Sequence, residues 1–153
     1  MATKSRVAVA SLALSASALV GIAVNEGYIG QAYKDVVGVP TIGFGETQGV
    51  TPGQKTDPVR ALVKLEASAS SIAQAMAACI QVPISQNEYD AYVSFSYNLG
   101  PGTFCKYIAP VLNKPDYEGA CKKILLFDHA GGKKYPGLTR RREEESQKCL
   151  GLD

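Results

Sequence analysis

Residues 26–47 read EGYIGQAYKDVVGVPTIGFGET. Glycine and β-branched residues dominate the stretch, and Val37-Gly38 marks a turn. The pattern predicts a loop followed by two or three short antiparallel strands. Beyond it the periodicity changes. Asp57-Pro58 supplies a capping carboxylate and a proline for the first helical position. A helix is expected from there to about Cys79, with Val59, Leu62, Val63, Ile72 and Met76 apolar. Pro83 interrupts it, and Ser85-Gln86-Asn87-Glu88 has the form of a capping box opening a second helix. Tyr89, Tyr92, Val93, Ser96 and Leu99 follow at helical spacing, and Gly100-Pro101-Gly102 closes the segment. Shorter helices are expected over 103–113, from 116 to about 128 and over 139–149, with loops at Lys114-Pro115 and Gly131-Gly132. The chain therefore reads as α+β, mostly α: a small antiparallel strand region, then a helical body.

Composition narrows the class. The 153 residues are 46% hydrophobic and 20% charged, enough for one compact core. Sixteen basic residues face 14 acidic ones, and Lys4 and Arg6 account for the difference. A nucleic-acid partner would need a basic excess on one face, so none is expected. The cysteines are Cys79, Cys105, Cys121 and Cys149, without a C-x-x-C pair, and His129 is the single histidine. That argues against a zinc site or a thioredoxin-type redox site. Four cysteines allow three pairings, and whether they pair depends on compartment.

Compartment is addressed by the other end of the chain. After Lys4 and Arg6 comes VAVASLALSASALVGIAV, residues 7–24, without one charge. As a single helix it would reach roughly 27 Å, just short of a hydrocarbon core. Eight of its residues are Val, Leu or Ile and ten are Ala, Ser or Gly. The eight contribute roughly −2 to −5 kcal/mol toward insertion, before any penalty for Ser and Gly. Such a helix enters a membrane and is weakly held there. Three readings stand: a cleaved signal peptide, with Ala16-Ser17-Ala18 as the cleavage motif; a helix buried in the body; and a retained, weak anchor, the favoured reading. The first and third export the body, with Lys4 and Arg6 left on the cytoplasmic side. Paired cysteines are then expected.

Among the acidic residues, Glu26 follows the apolar run directly, Asp35 lies nine positions later and Thr41 six after that. Two carboxylates across a cleft can divide the work of glycoside hydrolysis, one protonating the leaving oxygen and the other activating water. A hydroxyl beside the second can orient that water. Spacing alone does not separate this from a surface Glu, a turn Asp and a strand Thr.

Glu26, eight residues, Asp35, five residues, Thr41 resembles the signature of the phage-type lysozymes, glycoside hydrolase family 24. The surrounding NEGYIGQAYKDVVGVPTIGFGET carries that family's E-G, A-Y-K-D and T-I-G-x-G elements. VPISQNEYDAYVSFSYNLGPGTF is similar to its central helix and following turn, and AGGKKYPGLTRRREEE to its G-L-x-x-R-R-x-x-E ending. The resemblance runs from about Asn25 to Leu150. It implies a lysozyme-like fold over residues 25–153, preceded by an N-terminal apolar helix in a separate segment, 1–24. It implies a muramidase cleaving between N-acetylmuramic acid and N-acetylglucosamine of peptidoglycan, with inversion and no cofactor or metal, acting as a monomer. Glu26 would be the general acid, Asp35 the carboxylate assisting water and Thr41 the residue orienting it. Tyr97 and Asn98 match cleft-lining, sugar-contacting positions, and an arginine of 140–142 is a candidate partner for Glu26. The resemblance also favours the pairs Cys79–Cys105 and Cys121–Cys149. Two positions depart from it: Glu46 stands where many relatives have histidine, and Phe127 where tryptophan is common.

The apolar N-terminus is similar to that of the signal-anchor-release endolysins. These are exported by the host secretion machinery, held inactive in the inner membrane facing the periplasm, and then released into it. Residues 1–24 contain no cysteine, so thiol exchange with the anchor is excluded and topological restraint is the expected control.

Overall fold

The computed structural model describes residues 4–152. The outer bounds of the two expected segments, residues 1–3 and 153, lie outside the described residues. Helix α1 (Ala16–Glu26) leads into a hairpin of β1 (Ile29–Lys34) and β2 (Pro40–Gly43). Then come α2 (Pro58–Ala77) and α3 (Gln86–Leu99). A composite segment follows: α4 (Pro101–Thr103), a π-helical stretch (Phe104–Ile108) and α5 (Ala109–Leu112). The chain finishes with α6 (Tyr117–Lys123), a second hairpin of β3 (His129–Ala130) and β4 (Lys133–Lys134), and α7 (Pro136–Leu150).

Local chemistry explains the two long helix starts. Asp57 Oδ1 accepts from the N–H groups of Val59 and Arg60, with Pro58 at the first turn. At α3 the capping box closes in both directions: Ser85 Oγ accepts from Glu88 N, and Glu88 Oε2 accepts from Ser85 N at 2.8 Å. In the first hairpin, Tyr33 stands opposite Thr41 and Lys34 opposite Pro40, with an irregular register between Ile29 and Tyr33. Residues 54–56 run beside β1 through the bonds Ala32 N to Gln54 O and Thr56 N to Gly30 O.

The core is built around α3. Ala91, Tyr92, Val93 and Phe95 are fully buried, so this helix is enclosed on nearly every side. Tyr92 packs on Phe104 and Phe95 on Phe127, with ring centroids 5.0 and 5.2 Å apart. The Phe127 departure thus alters aromatic packing. The disulfide Cys79–Cys105 ties the end of α2 to the π-helical stretch, and Cys121–Cys149 ties α6 to α7. Each closes a loop of a length that stabilises by roughly 2–4 kcal/mol.

The single apolar helix expected over residues 7–24 is not what the chain forms. Val7 pairs with Ile84 through two backbone bonds of 2.9 Å, Val9–Ser11 makes one 3-10 turn, and helix begins only at Ala16. The break has a tertiary cause. Ser15 caps α1 by accepting from Ala18 N, while its own hydroxyl and N–H donate to Asp90 on α3, at 2.6 and 3.1 Å. Arg6 grips the fully buried Glu88 with Nε and Nη2, and its guanidinium lies 3.6 Å from the Tyr117 ring centroid. Ala18, Ile22 and Ala23 are buried, while Val20 and Val24 stay exposed. Eleven residues of helix reach about 16 Å, and no helix among the described residues is long and apolar enough to cross a membrane. Helix α1 also runs through the expected boundary between residues 24 and 25.

Arg6→Met removes the partner of a carboxylate that has no access to water. Urea unfolding of the purified protein should show a loss of about 1–3 kcal/mol, with the slope unchanged.

Candidate active site

Glu26 is the last residue of α1, and Gly27 follows at φ +72°, a left-handed turn that glycine makes without strain. The carboxylate is about one quarter exposed, and its Oε1 accepts from Arg141 Nη1 at 3.1 Å. The arginine partner expected for Glu26 is therefore Arg141. It is itself buried on α7, with Nη2 on the Ser94 carbonyl and Nε on Glu145 Oε1. On the other side of the acid, Gly45 sits in the turn after β2, where a Cβ would come 3.8 Å from Glu26 Oε2. The first hairpin is thereby brought beside the end of α1.

Asp35 and Thr41 are tied to one residue. Asp35 Oδ1 accepts from the N–H groups of Val37 and Val39, at 2.9 and 2.8 Å, while Thr41 Oγ1 donates to the Val39 carbonyl at 3.0 Å. Asp35 also donates its N–H to the Val39 carbonyl, and Gly38 takes the positive φ of +84° that this tight turn demands. The carboxylate and the hydroxyl thus move as a unit with the hairpin tip. Thr41 is buried.

Two open grooves lie in this region, and Glu26 lines the larger of them. One, of about 790 Å³, is lined by Glu26, Asn98, Tyr135 and Arg140. The other, of about 450 Å³, runs between the turn at Glu46 and helix α2, with Tyr97 at its edge. Tyr97 and Asn98 are split between them, and neither groove is lined by Asp35 or Thr41. Burial, then the nearby carboxylates of Glu26 and Glu46, push the Tyr97 phenol up to about 12. Tyr97 therefore presents a neutral hydroxyl at every physiological pH. Asn98 Oδ1 accepts from Arg142 Nη2 at 3.0 Å, so the position expected to contact sugar carries a structural bond. Glu46 is held by the N–H groups of Thr47 and Gln48 and by the Ser68 hydroxyl.

The β3–β4 hairpin was expected only as a loop at Gly131-Gly132. It forms because Asp128 gathers Lys134 Nζ, Thr139 Oγ1 and His129 Nδ1 around one carboxylate. The Lys134 bond, then the Thr139 hydroxyl, hold Asp128 below the usual carboxylate range against the effect of its burial. The hairpin sets Ala130 and Tyr135 on the wall of the larger groove, opposite Asn98.

A small hairpin lobe, a helical body and an arginine-held carboxylate where they meet define a lysozyme-like protein. Residues 23–145 match the family model described as Phage lysozyme, and the chain belongs to that family. A SAR-endolysin of Bacteriophage PS34 is 32% identical over 145 residues, 92% of this chain and 87% of that protein. Among solved structures, an endolysin from Escherichia coli O157:H7 phage FAHEc1 superposes with a TM-score of 0.83 at 31% identity, over 92% of this chain and 94% of that one. The muramidase domain of SpmX from Asticaccaulis excentricus also gives 0.83, at 26% identity, over 90% and 97% of the two chains.

In the sequence Glu145 is only the last letter of the C-terminal motif. Its spacing held the signal, four residues after Arg141 and three after Arg142 on one helix face. Arg141→Lys keeps the charge but cannot reach Glu26, Ser94 and Glu145 together. The variant should lose at least about tenfold in wall-clearing rate, since holding a reacting group out of place is that costly. Turbidity of purified cell walls measures it.

Proposed function

We propose that this chain is a phage endolysin, a muramidase that hydrolyses the β-1,4 bond between N-acetylmuramic acid and N-acetylglucosamine in peptidoglycan and so lyses the host cell. The observation that carries the reading is Glu26, held by Arg141 in an open groove of a chain that belongs to the phage lysozyme family. Glu26 acts as general acid and gives its proton to the glycosidic oxygen. Asp35 assists a water on the opposite face of the sugar, and Thr41, sharing Val39 with it, orients that water. This division of labour is that of an inverting glycosidase. Tyr97 and Asn98 contact the sugar chain from the two grooves, and no metal or cofactor takes part.

Export and release complete the reading. Residues 7–24 are the signal anchor, delivered by the host secretion machinery and held in the inner membrane with the body in the periplasm. Supporting this is the two-sided character of the segment: as one helix it is a marginal span, and in the folded body it supplies α1 and its Ser15 cap. The two arrangements exclude each other, because Ile22 and Ala23 cannot face both lipid and the core. Glu26 ends α1, so leaving the bilayer and placing the acid are one event. Similarity to a protein named SAR-endolysin also supports this reading.

Glu26→Gln keeps the shape and removes the transferable proton, and it should lower the rate by about 100-fold or more. Mass spectrometry of the wild-type digest should show reducing-end muropeptides, and NMR of the earliest product should show the inverted anomer. Undiminished wall binding with no bond cleavage in the wild type would instead mark an exported peptidoglycan-binding module.

Release has its own test. Ser11, Ser17 and Gly21 are exposed in the folded body, so leucine at all three adds a few kcal/mol of membrane affinity and leaves the Ser15 cap in place. Cells carrying the triple variant should keep the protein in the membrane fraction and stay unlysed when the potential is collapsed. The wild type should move to the soluble fraction with its N-terminus intact. Recovery of a protein beginning at Leu19 would replace the anchor by an ordinary signal peptide.

A further inference from the structure

Four charged side chains meet behind the groove: Glu26, Arg141, Arg142 and Glu145. Arg142 is fully enclosed, and Arg141 and Glu145 are 7% and 5% exposed. Glu145 Oε1 accepts from Arg141 Nε at 3.2 Å, from Arg142 Nη2 at 3.1 Å and from the Ser94 hydroxyl at 2.7 Å. Its Oε2 lies 2.9 Å from Arg142 Nε. Two guanidiniums are thus balanced by two carboxylates, and one of those two is the proposed acid. With Glu145 absent, Arg141 Nε would lose its acceptor and Arg142 its carboxylate partner.

We infer that Glu145 is a positioning residue for the proposed general acid: by accepting from Arg141 Nε it holds that guanidinium with Nη1 on Glu26. The inference rests on the reading of Glu26 as the acid and adds to it what keeps the acid in place. Nothing about catalysis would require Arg142 to be charged, yet it is buried at the cost of its hydration and held by Glu145 and Asn98. Burial pulls Arg142 below its usual range and pushes Glu145 above the usual carboxylate range, so each depends on the other to stay ionised. The surrounding charges are few. On α7 they are Glu144 and Lys148, and on α3 Asp90, all lining a cavity of about 150 Å³ against Glu145. The part of α1 that lines this cavity, Ser17, Ala18, Gly21, Ile22 and Asn25, is uncharged. Facing Glu26 are Arg140 and Glu144 in the groove, with Tyr97 on α3 and Glu46 beyond it.

The test is steady-state hydrolysis of soluble peptidoglycan by the full chain, read as kcat and KM per folded molecule, for Glu145→Leu, Glu145→Gln, Ser94→Ala and the exposed Glu143→Gln. Glu145→Leu leaves Arg141 Nε without its acceptor and should lower kcat at least about tenfold with KM little changed. Glu145→Gln keeps an amide oxygen for the same bond and should recover most of that loss, and Glu143→Gln should match the wild type. A residue that merely supports the fold would lower the melting temperature and the folded fraction and leave kcat per folded molecule in place, which overturns the inference. A loss in Glu143→Gln equal to that in Glu145→Leu overturns it as well. Should Glu145→Leu fail to fold, Ser94→Ala, which takes one donor from Glu145 Oε1, decides alone: kcat should fall, and an unchanged kcat overturns the inference. Glu26→Gln is run beside them: if it stays active the assignment of the acid is wrong, whereas an inactive Glu26→Gln with kcat intact in Glu145→Leu defeats only the role of Glu145.

Discussion

A guanidinium taken out of water must find an acceptor for each of its edges, and for Arg141 those acceptors come from three helices. Glu26 ends α1, the Ser94 carbonyl belongs to α3, and Glu145 lies one turn further along α7 itself. Breaking such a buried pair typically costs about 3–5 kcal/mol, so the three helices meet at one relative placement or not at all. The groove depends on that placement. Asn98 and Tyr135 form walls only because α3 and the start of α7 are fixed on either side of the end of α1. The hairpin comes in last, with Gly45 over Glu26 and the Asp35–Val39–Thr41 unit at its far end.

The N-terminal segment obeys a second constraint. Under the anchor reading proposed above, its sequence must be apolar enough to enter lipid and must still carry groups that α3 can recognise. Serines and small residues reconcile the two demands. Ser15 is tolerable in a weak span, yet it is also the cap of α1 and the partner of Asp90. Arg6 would hold the chain's orientation in a membrane, and in the folded body it neutralises Glu88. A more hydrophobic anchor would meet the first demand and fail the second.

What could be read from sequence was local. The Asp57-Pro58 start and the Ser85–Glu88 capping box use partners within three residues of each other, and both helices begin where those signals put them. The strand pair at residues 29–43 is announced by its own glycines and β-branched residues. The interruption of residues 7–24 was illegible because its cause, Asp90, is 75 positions away from Ser15. The β3–β4 hairpin has two-residue strands and owes its existence to Asp128, not to any alternation of its own. The carboxylates of the site were visible through a motif, but the partnership of Glu26 with Arg141 spans 115 residues. Glu145 showed a helical spacing and nothing about what that spacing would face.

The bond between Val7 and Ile84 bears on the order in which the molecule is made. It joins Val7 to a residue that leaves the ribosome 77 positions later, and Arg6 with Glu88 and Ser15 with Asp90 span similar distances. Closing so long a loop is slow compared with forming helices, although its added entropy grows only logarithmically with length. The helical body, stapled by its two disulfides, can thus ripen before the N-terminal strand-and-helix arm is laid across α3. Arg6, Val7 and Ser15 leave the ribosome well before the residues they bond, and they acquire those neighbours late.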